Sequence, residues 1–363
     1  MKTKLYLIFG LLSSCNFSAK NDSEDGKFFV RDNFKSTTKL TGQVMNFNAS
    51  LHPLNYTIIK DTLLFVTNWE GKPFYVEVYN LKSMQNICSI ARRGKGPNEF
   101  LSCDLNYRTN DTNYFYIYDI VKQCVAKFDI DSVLAKGELY APQQIKLPRY
   151  TNDVAFADQE EIIGYNNSYF EKGKLTNNVK QIFTLSEARN ANDSIVDVAH
   201  FKYLSANVKY FSANVSGGYI LVAPSEDKIW VVNRYTDKID IYNKRLEFSK
   251  SLVGPDIIKP EYKIHDNQIS FKGKYYRAYM SGFFTKAAVY LIYIGVDGVP
   301  NDKNYRKPVE IFKFSWAGEL LYRYELDKYL FTISIDKDEK RLYGTHFNSP
   351  REYPQLIRYD LPD

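Results

Sequence analysis

The chain is poor in the side chains on which most enzymes build their chemistry. Only four His and four Cys occur among 363 residues, and no His pair stands at i, i+4 around a Glu. There is no H-E-x-x-H, no G-x-S-x-G, no EF-hand loop and no C-x-x-C pair, so the usual signatures of metalloprotease, α/β-hydrolase, calcium and thiolate-zinc sites are missing. No catalytic set, no metal site and no cofactor is therefore assigned. No apolar run approaches the roughly 18 residues that would span a bilayer, which excludes a polytopic membrane protein. Helical periodicity is nearly absent too, with Ser186–Ser194 alone reading as a short helical turn. What is present is a globular balance, 44% hydrophobic and 25% charged, with an aromatic share of 16%. That share calls for much sheet surface to cover.

The first residues have a separate logic. Lys2 and Lys4 precede the apolar stretch Leu5–Leu12, which ends at Ser13, Ser14 and Cys15. A basic start, a short apolar core and small residues make a secretory signal, too short to span as a helix. Leu12-Ser13-Ser14-Cys15 resembles the lipobox of bacterial lipoproteins, which implies cleavage after residue 14 and acylation of Cys15. Residues 1–14 are thus expected to be a lipoprotein signal peptide and 15–27 a lipidated flexible tether, with a folded domain over 28–363. The stretch 16–27 is polar and cannot bury enough to offset its ordering entropy. Its cluster Asp22, Glu24 and Asp25 resembles acidic surface-export signals, or is simply a solvated linker. The expected address is the bacterial envelope, lipid-anchored, at the outer membrane.

Losing Lys2 and Lys4 with the signal lowers the net charge from +6 to +4. So small an excess over so large a surface does not make a nucleic-acid binder. Cys88, Cys103 and Cys124 then remain, an odd number that permits at most one internal disulfide. Mostly buried, inert thiols are expected.

The body of the chain repeats itself. A strand ending in an aromatic-polar step recurs at Tyr79, Phe128, Phe183, Tyr242, Phe314 and Tyr359, spaced on average 56 residues apart. Upstream of each lie two further strand patterns, among them 63–68, 114–119, 211–218, 277–284 and 288–295, and a fourth follows all but the last, 137–142 in the second copy. The predicted fold is all-β, a six-bladed β-propeller of four-stranded antiparallel blades. The sixth copy stops after its third strand, so an N-terminal strand, with Thr41–Leu51 the candidate, is expected to close the ring. Radiating blades diverge outward, and Tyr and Phe are the side chains that fill such gaps.

Between the first and second copies stands Arg92-Arg93-Gly94-Lys95-Gly96-Pro97-Asn98-Glu99-Phe100. It resembles the G-x-G-P-x-E-F step of TolB-like and NHL-like six-bladed propeller lipoproteins of bacteria, with Val253-Gly254-Pro255 a weaker echo after the fourth copy. The resemblance implies a binding or scaffolding propeller of the cell envelope. The glycines permit a sharp inter-blade turn, and Arg92, Arg93 and Lys95 are alternatively an anion-binding nest.

Basic-aromatic pairs precede several of the innermost strands: Arg149-Tyr150, Lys209-Tyr210, Tyr276-Arg277 and Lys328-Tyr329. Equivalent positions of a ring share one face, so these residues would surround a channel mouth and suit a saccharide, a peptide carboxylate or another anionic ligand. Otherwise the rings fill inter-blade space and the bases stay solvated. The expected function is a ligand-binding or protein-interaction module, with an envelope protein as a possible partner. The alternative is a propeller hydrolase or lyase at the channel mouth, since fold alone does not separate binders from enzymes.

Overall fold

A computed structural model describes residues 26–46, 53–68, 73–106, 113–142, 144–147, 151, 153–156, 162–165, 182–184, 217–224, 227–258, 261–265, 268–271, 277–295, 307–348 and 352–362. The fold is an all-β propeller. Among the described residues the strands form antiparallel meanders in chain order, as short alternating segments joined by tight turns require.

The first sheet runs Pro53–Ile59, Leu63–Asn68, Phe74–Asn80, Asn86–Arg92, and the second Asp104–Asn106, Tyr114–Asp119, Cys124–Asp129, Gln144–Lys146. A third holds Asp153–Phe156, Ile162–Tyr165 and Ile182–Thr184; a fourth holds Gly218–Val222, Ile229–Asn233, Lys238–Tyr242 and Phe248–Val253. The fifth holds Arg277–Phe284, Ala288–Gly295, Glu310–Ser315 and Leu320–Leu326, and the sixth Leu330–Ile335, Arg341–His346 and Gln355–Asp360. A hairpin, Tyr262–His265 with Gln268–Phe271, stands between the fourth and fifth sheets in sequence.

First strands of successive sheets touch one another: third with fourth, fourth with fifth, fifth with sixth, and sixth with first. At the last junction the Tyr56 N–H donates to Thr345 Oγ1 at 3.0 Å and the Ile58 N–H to Ser334 Oγ at 3.2 Å. The core lies between the sheets rather than within one. Trp230 of the fourth sheet and Trp316 of the fifth are buried edge to face, 6.1 Å apart. Their indoles hand hydrogen bonds from sheet to sheet, Trp230 Nε1 to the Trp316 carbonyl and Trp316 Nε1 to the Thr285 carbonyl. The aromatic excess thus fills inter-sheet wedges.

The N-terminal segment is a strap across three sheets. Lys27–Phe28 adds to the fourth sheet, parallel to Leu252–Val253, and Ser36–Leu40 adds to the fifth, parallel to Tyr322–Leu326. Gln43–Met45 then pairs antiparallel with Leu356–Arg358 in the sixth, inside the stretch 41–51 expected to supply that strand. Lys27, read as the end of the tether, already belongs to the folded body. Phe29 and Phe34 are buried against Phe312 and Phe314, each such ring contributing about 1.5–3 kcal/mol. Between them Arg31 reaches Asp256 at 2.6 Å and Glu310 at 2.8 Å, bridging the loop after the fourth sheet to the fifth.

Two sequence expectations are corrected. The fourth strand of the second sheet is Gln144–Lys146, not 137–142, which instead follows an α-helix, Ile130–Lys136, as a 3-10 turn, Gly137–Leu139. Asp129 caps that helix by accepting the Ser132 N–H, and Gly137 ends it at positive φ. The first strand of the fourth sheet is Gly218–Val222, downstream of the expected 211–218. The turn read at Ser186–Ser194 lies outside the described residues.

Candidate functional site

The R-R-G-K-G-P-N-E-F segment connects the outer strand of the first sheet to the second sheet and forms one wall of a cleft. Gly94 has φ +153°, and a Cβ there would lie 1.9 Å from Glu99 Oε2. The Gly96 N–H donates to the same oxygen at 2.9 Å. The anion that two glycines make room for is therefore the chain's own Glu99. Gly254 repeats the device after the fourth sheet: its φ is +147° and a Cβ would meet the Phe29 carbonyl at 2.1 Å.

The loop is fastened from the second sheet. Lys122 Nζ donates to the carbonyls of Gly96 at 2.9 Å and Glu99 at 2.6 Å, and Gln144 Nε2 donates to the Glu99 carbonyl at 3.3 Å. Phe100 is buried beside Phe128, 6.1 Å between ring centres. Neither Lys122 nor Gln144 was legible as a site residue, because each lies in an unremarkable polar turn or a three-residue strand.

The three basic residues of the segment do not converge. Arg93 turns inward: its Nη2 donates to the Asn68 carbonyl at 2.6 Å, and its guanidinium covers the Tyr75 ring at 3.5 Å. Arg92 is exposed on the cleft rim, 3.6 Å from Glu99 Oε1, and Lys95 is exposed. The cleft itself holds about 320 Å³. Its near wall is Ala91, Arg92 and Gly96–Phe100; its far wall is Phe128 and the 3-10 turn with Glu138, Leu139, Tyr140 and Pro142. Leu139 is 83% exposed, the most exposed large apolar side chain among the described residues.

Arg277 opens the first strand of the fifth sheet, with Nη1 3.6 Å from Met280 Sδ. Arg149, Tyr150, Lys209, Tyr210 and Tyr276, expected around the same mouth, lie outside the described residues, as does Cys15. Tyr329 is buried beside Phe331, so in this copy the ring does fill space.

Buried carboxylates at this loop-bearing face hold backbone. Asp119 accepts N–H groups of Leu101, Val121 and Lys122, and Asp237 accepts those of Asp256, Ile257 and Ile258. Burial pushes the Asp237 carboxyl above its ordinary value against those three bonds. His346, also buried, lies 2.7 Å from the Tyr329 carbonyl and 2.9 Å from Asn348 Oδ1. Cys88, Cys103 and Cys124 are free thiols. Burial raises all three, Cys124 to about 11, so they are weak nucleophiles near neutrality.

Comparison with known proteins now fits this geometry. A family profile described as TolB-like 6-blade propeller-like matches residues 33–338. The chain belongs to that family. Among solved structures, this TolB-like propeller is similar to a member of the DUF4221 family from Bacteroides vulgatus, at 11% identity and TM-score 0.51, over 88% of this chain and 95% of that one. It is also similar to a Bacteroides fragilis protein assigned to export, at 11% identity and TM-score 0.48, over 90% and 99% of the two chains. No curated protein matches it. At such identity the likeness to the first of these speaks for the fold alone.

Proposed function

We propose that the protein is a lipid-anchored binding module of the bacterial envelope, a six-bladed propeller that presents the cleft between its first two blades to a partner protein. The six strand sets, the contact of sixth sheet with first, and the pairing of Gln43–Met45 with the sixth sheet support a ring closed by the N-terminal strand. The basic start, short apolar core and Leu12-Ser13-Ser14-Cys15 step support export, with residues 1–14 removed and Cys15 acylated.

One observation carries the binding reading. The cleft is rigidly walled, because Glu99 fills its own nest and Lys122 clamps the loop, while Leu139 stands in water beside Tyr140 and Pro142. An exposed apolar side chain on a fixed wall, with Arg92 and Glu138 at the rim, suits an extended protein segment carrying an apolar anchor. The test is a photocrosslinking residue at position 139 in cells, with position 353 as an exposed control. A discrete adduct from 139 that is absent from 353 and lost with Arg92→Glu supports the reading. Equal labelling from both positions, or none, contradicts it.

A further inference from the structure

The fourth sheet has two lysines at the edge where the strap enters and a third two strands further in. Lys27 lies on the strand added to Phe248–Val253, Lys250 lies within that strand, and Lys228 ends the turn before Ile229–Asn233. Lys250 Nζ donates to the Ala317 carbonyl at 2.5 Å, and a Cβ on Gly318 would lie 3.3 Å from its stem. Its proton affinity is lowered by burial and by the nearby charges of Lys27 and Lys228. None of the three lysines has a carboxylate within ion-pair distance among the described residues. The acids nearby are engaged: Asp240 by Lys238 and Ser251, Glu247 by Arg245 and Asn243, Glu319 by Lys35, Asp227 by the Lys244 N–H.

Exposed apolar groups flank this edge. Phe248 is 59% exposed, Val30 51% and Phe28 37%. Glu319 also acts on Lys250 and offsets part of the lowering of its proton affinity, yet lysines gathered with no ion pair among the described residues, beside exposed rings, have the composition of an interfacial membrane contact.

The chain outside the structure argues for the occupant. Eleven residues, Asn16 to Gly26, separate Cys15 from the first strand, a reach of at most about 40 Å. An acyl chain on Cys15 would tether the propeller through this edge, the point at which the folded body begins. We infer that Lys27, Lys228 and Lys250, with Phe28 and Phe248, form a second membrane contact that docks the fourth sheet on an anionic phospholipid surface. This rests on the anchored reading above. The contact fixes which way the propeller stands: the fourth sheet faces the membrane, and the cleft between the first and second sheets faces away from it.

The test removes the anchor's contribution. The chain from residue 15 onward, carrying Cys15→Ser, is mixed with vesicles of phosphatidylglycerol and phosphatidylethanolamine, or of phosphatidylcholine alone, and bound protein is sedimented. Binding to the anionic vesicles only is expected. Lys27→Gln, Lys228→Gln and Lys250→Gln together should weaken it roughly 100-fold at low salt, about 1 kcal/mol per lysine. The same charge change at Lys39, Lys82 and Lys146 should leave it within about threefold, and 0.5 M salt should abolish it. Because Lys250 also holds Ala317, the double variant Lys27→Gln, Lys228→Gln provides an independent arm, expected at roughly 30-fold. No binding to anionic vesicles, or equal loss in the control triple, overturns the inference. An unmodified Cys15 would instead overturn the anchored reading, which the mass of the N-terminal peptide reports separately.

Discussion

Replacing Arg31 by Met should loosen the strap without disturbing the rest of the propeller. Arg31 is the strap's polar fastener: its guanidinium donates to both oxygens of Asp256, at 2.6 and 3.2 Å, and to both of Glu310, at 2.8 and 3.2 Å. The carboxylates keep other partners, Tyr293 for Asp256 and Arg323 for Glu310, so neither is orphaned by the change. A hydrogen bond to a charged group contributes roughly 1.5–3 kcal/mol. Arg31 is about a third exposed, which screens part of that. The expected cost is about 2–3 kcal/mol in all, or a Tm lower by roughly 3–4 °C for a domain of this size. Arg31→Lys should recover less than half, because an ammonium cannot serve two carboxylates in bidentate fashion.

The same pair predicts a pH dependence. Burial would raise the Asp256 carboxyl, but hydrogen bonds from Arg31 and Tyr293 outweigh it and hold the group below its ordinary value. A depressed carboxylate contributes stability above its unfolded pKa of about 3.9 and loses it as pH falls through the folded value. The Tm gap between wild type and Arg31→Met should therefore be flat from about pH 7 to 5 and narrow below about pH 4. Calorimetry on both proteins across that range is the assay. Equal melting at pH 7 would refute the claim that the strap is fastened here, and a gap that widens in acid would refute the assigned cause.

Three further outcomes are expected. Gly94→Ala forces a Cβ against Glu99 at a φ that L residues avoid, and should cost about 2 kcal/mol and expose residues 92–100 to limited proteolysis. Glu99→Gln should cost about 1 kcal/mol by weakening the bond from Gly96, with a matching fall in crosslinking from position 139. Arg149→Ala with Arg277→Ala should abolish binding of any anionic ligand found at the channel mouth, as titration calorimetry would report. Unchanged affinity would remove that site from consideration.

Much of the fold was legible because strand spacing is a local signal. Leu63–Asn68, Tyr114–Asp119, Arg277–Phe284 and Ala288–Gly295 stand where apolar-polar alternation put them. The helix Ile130–Lys136 escaped notice because it is seven residues long and buries only Ile130 and Val133, too few to show a period. Ser36–Leu40 reads as polar coil on its own. It is a strand because it covers the edge of Leu320–Leu326, almost 300 residues away. The glycines of the motif were correctly read as turn-formers, yet the anion they accommodate is internal, and no spacing rule distinguishes a nest for a ligand from one already filled. Arg31 and Lys122 act through partners remote in sequence, so their roles emerge only when the sheets are assembled.

The envelope address and the membrane contact both depend on the propeller being held at a bilayer by Cys15. The most direct measurement is the mass of the N-terminal proteolytic peptide of the protein purified from membranes in detergent. The peptide is predicted to begin at Cys15 and to carry the added mass of a diacylglycerol and an N-acyl chain. A peptide that begins at Met1, or at any residue after Cys15, or that holds an unmodified Cys15, would contradict the anchored account.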